Sequence, residues 1–297
     1  MTAATGDTPP VIDAHVHFWD PRELSYPWLA GAAQLNRPHL PDEFAQASPE
    51  PREVIFVEAG RAAHQAEAEV SWIRRAASTR PWIRGVVAHA DLEDPAGAAD
   101  VVRRYAADPF VVGVRRNLQD EPAGFVASPG LRAGVRLLGD HTLPFDACVR
   151  AWQLGELSDL ADACPHTTIV LDHLGKPAPG DPGAADWRAA INSLARRENV
   201  VCKLSGLATE AAPGTPGREL AGLLRDALDA FGPDRCMYGS DWPVMTLATT
   251  YPAWSGLVHE ALERFGADAD ATEAVLSGTA TRVYAPAREG AAASRPL

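Results

Sequence analysis

Eight short β-rich runs, each followed by a segment of helical periodicity, limit what this chain can fold into. The runs are VIDAHVHF (11–18), VIFVEAG (54–60), IRGVVAHAD (83–91), VVGVRRNL (111–118), LPFDACV (143–149), TIVLDHL (168–174), VVCKLSGL (200–207) and RCMYGSDW (235–242). Val, Ile and aromatic residues dominate them, and Gly, Pro, Asp or Asn bounds many. Between them, residues 217–231 place Leu220, Leu223, Leu224, Leu228 and Phe231 on one stripe, and residues 62–78 carry Val70, Ile73 and Ala77 at helical spacing. Further helices are expected over 95–107, 129–139, 153–164, 186–198 and 251–265, with a short one at 40–47 and a last one at 271–284. Strand alternating with helix implies right-handed crossovers and a parallel sheet. Eight such units in 297 residues close into a single-domain, TIM-like (β/α)8 barrel. A doubly wound open sheet is the competing topology, but no GxGxxG or phosphate-cradling loop follows the first run. The barrel is expected over 10–287, with 1–9 and 288–297 as loose tails.

Composition narrows the partners. A formal net charge of −12 and an isoelectric point of about 5.2 disfavour nucleic acid and anionic membranes. No apolar run approaches the ~20 residues of a membrane span, and the start, MTAATGDTPP, has no basic and apolar signal regions. The expected setting is the cytoplasm and the expected partner a small molecule. Cys148, Cys164, Cys202 and Cys236 form no CxxC pair and are expected as buried thiols. Of the 27 basic residues only two are lysines, Lys176 and Lys203. Both sit in or just after expected strands, which hints at a specific task for each.

In a parallel barrel all strand ends converge on one face. The polar groups expected there are His15 and His17, Glu58, His89 and Asp91, Arg115 to Asn117, Asp146, Asp172 and His173, Lys203 and Ser205, and Ser240 and Asp241. His15 and His17 share a strand face, with Cα atoms roughly 6.5–7 Å apart, so both imidazoles can reach one ion. The pair alone is a weak signal; His173 and Asp241 on the same rim strengthen it, because carboxylates are rarely buried unpaired. The long first loop, 19–39, offers Trp19, Tyr26 and Trp28 either as a roof over the pocket or as ordinary loop packing.

The motifs DAHVHFWDP, GVRRNLQDEP, LDHLGKP and GSDWPV resemble the amidohydrolase superfamily, and within it the amidohydrolase-2 branch of sugar lactonases, the L-fuconolactonase- and L-rhamnonolactonase-like group. The resemblance spans about residues 11–285. It implies a barrel hydrolase of cyclic esters in which His15, His17, His173 and Asp241 line the site and Arg115 helps hold substrate. Binuclear members of the superfamily use a carboxylated lysine on strand four; Arg115 and Arg116 stand there instead, and arginine cannot form that bridge. The expected cofactor is therefore one divalent metal, zinc by the softness of its ligands, on His15, His17, His173 and Asp241; some relatives in the branch work without metal, so a metal-free pocket is the alternative.

Lactone opening needs a polarised carbonyl, an activated water and charge stabilisation. Asp241 suits the general base, His173 the polarising group and Arg115 a planar fork of donors. Lys176, Trp19, Trp28 and Trp242 complete the expected substrate-binding set. Competing readings stand beside these. Asp241 can cap a helix ahead of Pro243; only one of Arg115 and Arg116 can face inward; His89 can be a core histidine; Glu58 can pair with an arginine; Lys203 can pair with a carboxylate inside the barrel. At the level of function, the alternatives are a metal-dependent decarboxylase of an unsaturated acid, and an inactive barrel that binds a sugar acid.

Overall fold

Each of the eight runs contributes a strand: β1 (Val11–Val16), β2 (Arg52–Val57), β3 (Ile83–His89), β4 (Val111–Asn117), β5 (Phe145–Cys148), β6 (Ile169–Leu171), β7 (Val200–Leu204) and β8 (Cys236–Tyr238). The computed structural model describes residues 11–48, 52–179 and 184–285, so both expected tails lie outside the described residues. All neighbouring pairs are parallel and follow chain order from β1 to β8. The ring closes just beyond β8: the His17 N–H donates to Trp242 O (2.8 Å) and the Asp241 N–H to His15 O (2.8 Å). The segments that seal the barrel are therefore the ones that carry the candidate ligands. This is the (β/α)8 architecture expected from the alternation.

The intervening helices are α1 (Pro41–Ala47), α2 (Ala66–Ala77), α3 (Pro95–Ala106), α4 (Pro129–Asp140), α5 (Leu154–Ala163), α6 (Ala184–Leu194), α7 (Leu207–Glu210), α8 (Gly217–Phe231), α9 (Tyr251–Phe265), α10 (Ala269–Glu273) and α11 (Thr279–Val283). Their apolar stripes pack on the outer strand faces; on α8 the buried set includes Leu220, Leu223, Leu224, Leu228 and Phe231. A smaller inner cluster fills the barrel floor with Ile12, Ile55, Val57, Val87, Val112, Val170, Val201 and Met237, closed from below by Ala280 and Tyr284. All four cysteines are free and buried.

Three departures from the expected elements have physical causes. The sixth strand stops at Leu171 because His173, Leu174, Gly175 and Lys176 all take positive φ (54°, 55°, 69° and 51°) and turn the chain away. The expected last helix is broken by a π-helical turn at Ala274–Gly278, between α10 and α11. On β1, the register against β2 shifts between Asp13 and Val16. Such a bulge re-aims side chains: Ala14 still belongs to the inner cluster, yet His15 next to it also faces inward.

Candidate active site

The barrel mouth opens into a cavity of about 400 Å³ lined by His17, Arg115, His173 and Asp241 at its floor and by Trp19, Trp28, Asn117, Gln119, Cys148 and Lys176 around it. His15 lies just beneath. Its Nε2 is 3.1 Å from His17 Nε2, and its ring centroid is 4.4 Å from that of His173. Asp241 Oδ1 is 3.3 Å from His17 Nε2 and 3.8 Å from His15 Nε2. His15, His173 and Asp241 each present a ligand atom within 4.8 Å of the other two.

Backbone strain is concentrated here. His173 and Asp241 both sit at positive φ (54° and 63°), which costs a non-glycine residue roughly 1–3 kcal/mol. His173 is held in that pose by Ser205, whose Oγ is 2.9 Å from its Nδ1. Gly206 leaves room for the ring, since a Cβ there would stand 2.4 Å from His173 Nδ1.

Hydrogen bonding orients the rings. His17 Nδ1 faces Val57 O at 2.8 Å; a carbonyl only accepts, so Nδ1 carries a proton toward it. His15 Nδ1 faces Asp172 Oδ1 at 3.2 Å. Lys203 Nζ is also 3.3 Å from His15 Nδ1 and lies beside Asp146 Oδ2 (2.5 Å) and Asp172 Oδ1 (3.2 Å). His15 Nε2 lies 3.4 Å from Arg115 Nη1; a guanidinium only donates, so Nε2 accepts there. Burial holds the imidazoles of His15 and His173 well below their ordinary basicity, against the pull of Asp172 on His15 and of Asp241 on His173. Burial by itself would raise the Asp241 carboxyl, but His173, His17 and Lys176 outweigh it and keep the group ionised.

The Nε2 atoms of His15 and His17 stand 3.1 Å apart. Nitrogens bound at ~2.0–2.1 Å to one tetrahedral ion would lie about 3.3 Å apart. The donor set, with a carboxylate behind one histidine and a carbonyl behind the other, is that of an oriented metal site. The residues present fit a divalent ion.

Arg115 faces inward and Arg116 outward, where it pairs with Glu93 and Glu121. Arg115 Nε donates to Glu58 Oε1 (2.8 Å) and its Nη1 is 3.6 Å from Asp172 Oδ2. Glu58 also binds Arg61 (3.1 Å) and the Gly60 N–H (2.9 Å). His89 is not among the cavity residues; its Nε2 meets Asp91 Oδ1 at 2.9 Å. Lys176 lines the cavity and pairs with Glu210 at 2.7 Å. Trp28 donates its indole N–H to Ala59 O (2.8 Å), and Trp19 donates to the carbonyls of Leu35 and Arg37, so both rings are fixed at the rim. Trp242, expected with them, is buried against Phe18, His39 and Phe44 outside the cavity wall. Asp241 turns inward, and its neighbour therefore points to the outer layer.

Behind this wall, Glu69 accepts the Ala59 N–H (3.1 Å) and is pushed up to about 8 by burial, with the Glu58 charge adding to the effect. The folded state holds that proton more tightly than the unfolded chain does. Its stabilising effect is full below the ordinary pKa of 4.5 and is lost as pH rises through about 8. Glu69→Gln keeps the acceptor and removes the titration. Urea unfolding at pH 5.5 and 8.5 should show a loss of roughly 3–5 kcal/mol from this group in the parent and not in the variant; parallel pH curves would refute the assignment.

A (β/α)8 barrel that gathers three imidazoles, a carboxylate and a guanidinium at one mouth is a small-molecule site with acid–base and metal-ligating capacity. The family model described as amidohydrolase matches residues 12–285, and the chain belongs to that family. It is 36% identical over 292 residues to an L-fucono-1,5-lactonase of Burkholderia multivorans, covering 92% of this chain and 95% of that protein. An L-fucono-1,5-lactonase of Burkholderia ambifaria is 31% identical, covering 92% and 94%. A crystal structure of an amidohydrolase from Burkholderia multivorans with bound zinc superposes with a TM-score of 0.80 at 35% identity, covering 93% of this chain and 99% of that one. No helix among the described residues is long and apolar enough to cross a membrane.

The sequence places the histidines, Asp241, Arg115, Asp172 and Asn117 at the mouth, but it reports neither that Asp172 partners His15 nor that Gln119 joins Asn117 on the cavity wall. Gln119 lies in the loop after β4, where no periodicity marks it.

Proposed function

We propose that this chain is a hydrolase that opens a sugar-acid lactone, using one divalent ion, zinc by its donor set, held by His15, His17, His173 and Asp241. The observation that carries the reading is the Asp241 carboxylate 3.3 Å from His17 Nε2, with His173 beside it, on the floor of a cavity rimmed by tryptophans. The lactonase names of the two Burkholderia relatives support the substrate class.

A divalent ion at this site supplies Lewis-acid polarisation and a more acidic water. Asp241 takes the proton of the attacking water as the C–O bond forms at the lactone carbonyl. Arg115, held by Glu58, turns its remaining guanidinium edge to the cavity and donates to the developing oxyanion. When the ring C–O bond breaks, Asp241 returns the proton to the departing ring oxygen, giving the open hydroxy acid. Trp19 and Trp28 cover the apolar face of the ring, and Lys176 stands at its edge.

The test is proton release from a panel of fucono-, rhamnono- and galactonolactones, with elemental analysis of protein purified without added metal and a chelator arm. Opening of at least one lactone, with bound zinc near one equivalent and activity lost on chelation, is expected. Metal-loaded protein that opens none of them, but bleaches an unsaturated carboxylic acid, would place it among decarboxylases instead.

A further inference from the structure

The charged side chains of the cavity wall have ionic partners: Arg115 is paired with Glu58, Lys176 with Glu210, and Asp120 with Arg150. Two neutral amides on the same wall have donors without a partner. Asn117 Oδ1 accepts the Gln119 N–H (3.2 Å); because a backbone N–H faces it, that atom is the oxygen, and Nδ2 is the one left over. The Cys148 thiol meets Gln119 Oε1 at 3.8 Å, leaving Gln119 Nε2. Neither side-chain nitrogen has a partner among the described residues, and both residues line the cavity.

The loop that carries them is braced at nearly every backbone group. The Leu118 N–H donates to Cys148 O (2.9 Å), Gln153 Nε2 donates to Leu118 O (2.8 Å), and Arg150 Nε donates to Gln119 O (3.1 Å). Gln153 is itself fixed, its Oε1 accepting the Arg150 N–H at 2.8 Å. Two residues following β5 thus clamp the loop following β4. A braced loop presenting unpaired neutral donors is preorganised to recognise neutral oxygen acceptors.

We propose that Asn117 and Gln119 are specificity-determining residues, their amides reading the ring hydroxyls of a neutral polyhydroxylated lactone from the side opposite Trp19 and Trp28. This rests on the lactonase reading above. A ring hydroxyl oxygen, a neutral acceptor, finds an amide N–H on this wall.

A double-mutant cycle tests it, pairing Gln119→Met with substrate deletion. Methionine matches glutamine in length, and apart from the long thiol contact no partner of the Gln119 side chain is lost. Wild type and variant are assayed for kcat/KM on the best polyhydroxylated lactone and on its monodeoxy analogues. The loss of one neutral hydrogen bond predicts a roughly 5- to 10-fold fall on the parent lactone. It also predicts one monodeoxy analogue that both enzymes open equally well. Asn117→Asp, which keeps the acceptor for the Gln119 N–H, is expected to change the ranking of lactones epimeric at a single ring carbon. An equal loss on every analogue, or no loss on the parent, overturns the inference and leaves the lactonase reading intact. A wild type that opens no lactone removes both.

Discussion

Asp241→Asn lowers kcat on the preferred lactone by about 10³-fold and leaves the binding of a sugar acid within a few-fold of wild type. The magnitude is that of removing a general base, 10²–10⁴-fold. The substitution isolates chemistry from folding. Asparagine has nearly the same shape and, with aspartate, is among the non-glycine residues most at home at the positive φ of 63° found here. The bond that helps seal the barrel, Asp241 N–H to His15 O, belongs to the backbone and survives. The variant should therefore melt within a degree or two of the parent. An amide oxygen is a weaker metal donor than a carboxylate, so the variant should also retain less zinc on dialysis. Activity within about threefold of wild type, in protein shown to be folded, would take Asp241 out of the proton-transfer role.

The candidate ligands are visible in the sequence for a simple reason. Parallel strands in chain order deliver the residue at each C-terminal end to one mouth, so HVH, LDH and GSD point to a common place from their order alone. Strand alternation also limited the adjacent arginines to one inward member, and Arg115 is the one that meets Glu58. What stayed hidden depends on contacts with no local signature. The run HLGK contains one glycine, yet three of its residues besides that glycine adopt left-handed backbone, so its sequence suggests a strand continuing to Leu174 where the chain in fact turns. Tertiary packing overrode propensity at the point where the chain aims His173. Trp242 belongs to the expected substrate-binding set, but the direction of its ring is set by packing on Phe18 and Phe44, which no spacing rule reports. Tyr284, more than thirty residues beyond the last strand end, reaches the barrel interior only because α11 closes the floor.

That tyrosine ends a buried ionic chain whose middle member should be the most consequential structural residue in the barrel. Lys203 lies between Asp146 (2.5 Å) and Asp172 (3.2 Å); all three are fully buried, and Tyr284 donates its hydroxyl to Asp146 Oδ2 (2.8 Å). Lys203→Met matches the length of the side chain and strands two carboxylates in the interior. Removing one partner of a buried ion pair costs about 3–5 kcal/mol, and that loss is expected in urea unfolding at pH 8. The sign of its pH dependence follows from Asp146. Burial already pushes this carboxyl up to about 6 despite the opposing charge of Lys203, so its stabilising effect is lost as pH rises through that value. Without the ammonium the folded-state pKa rises further and the loss extends to higher pH. The gap between wild type and Lys203→Met should thus be smaller at pH 5.5 than at pH 8. Adding Asp146→Asn, which keeps an acceptor for Tyr284 and removes one stranded charge, should recover part of the deficit, while Asp172 remains near Arg115 and His15. A single variant equally destabilised at both pH values, or a double variant no more stable than the single one, would mean that the lysine acts by packing and that its charge does not hold Asp172 behind the ring of His15.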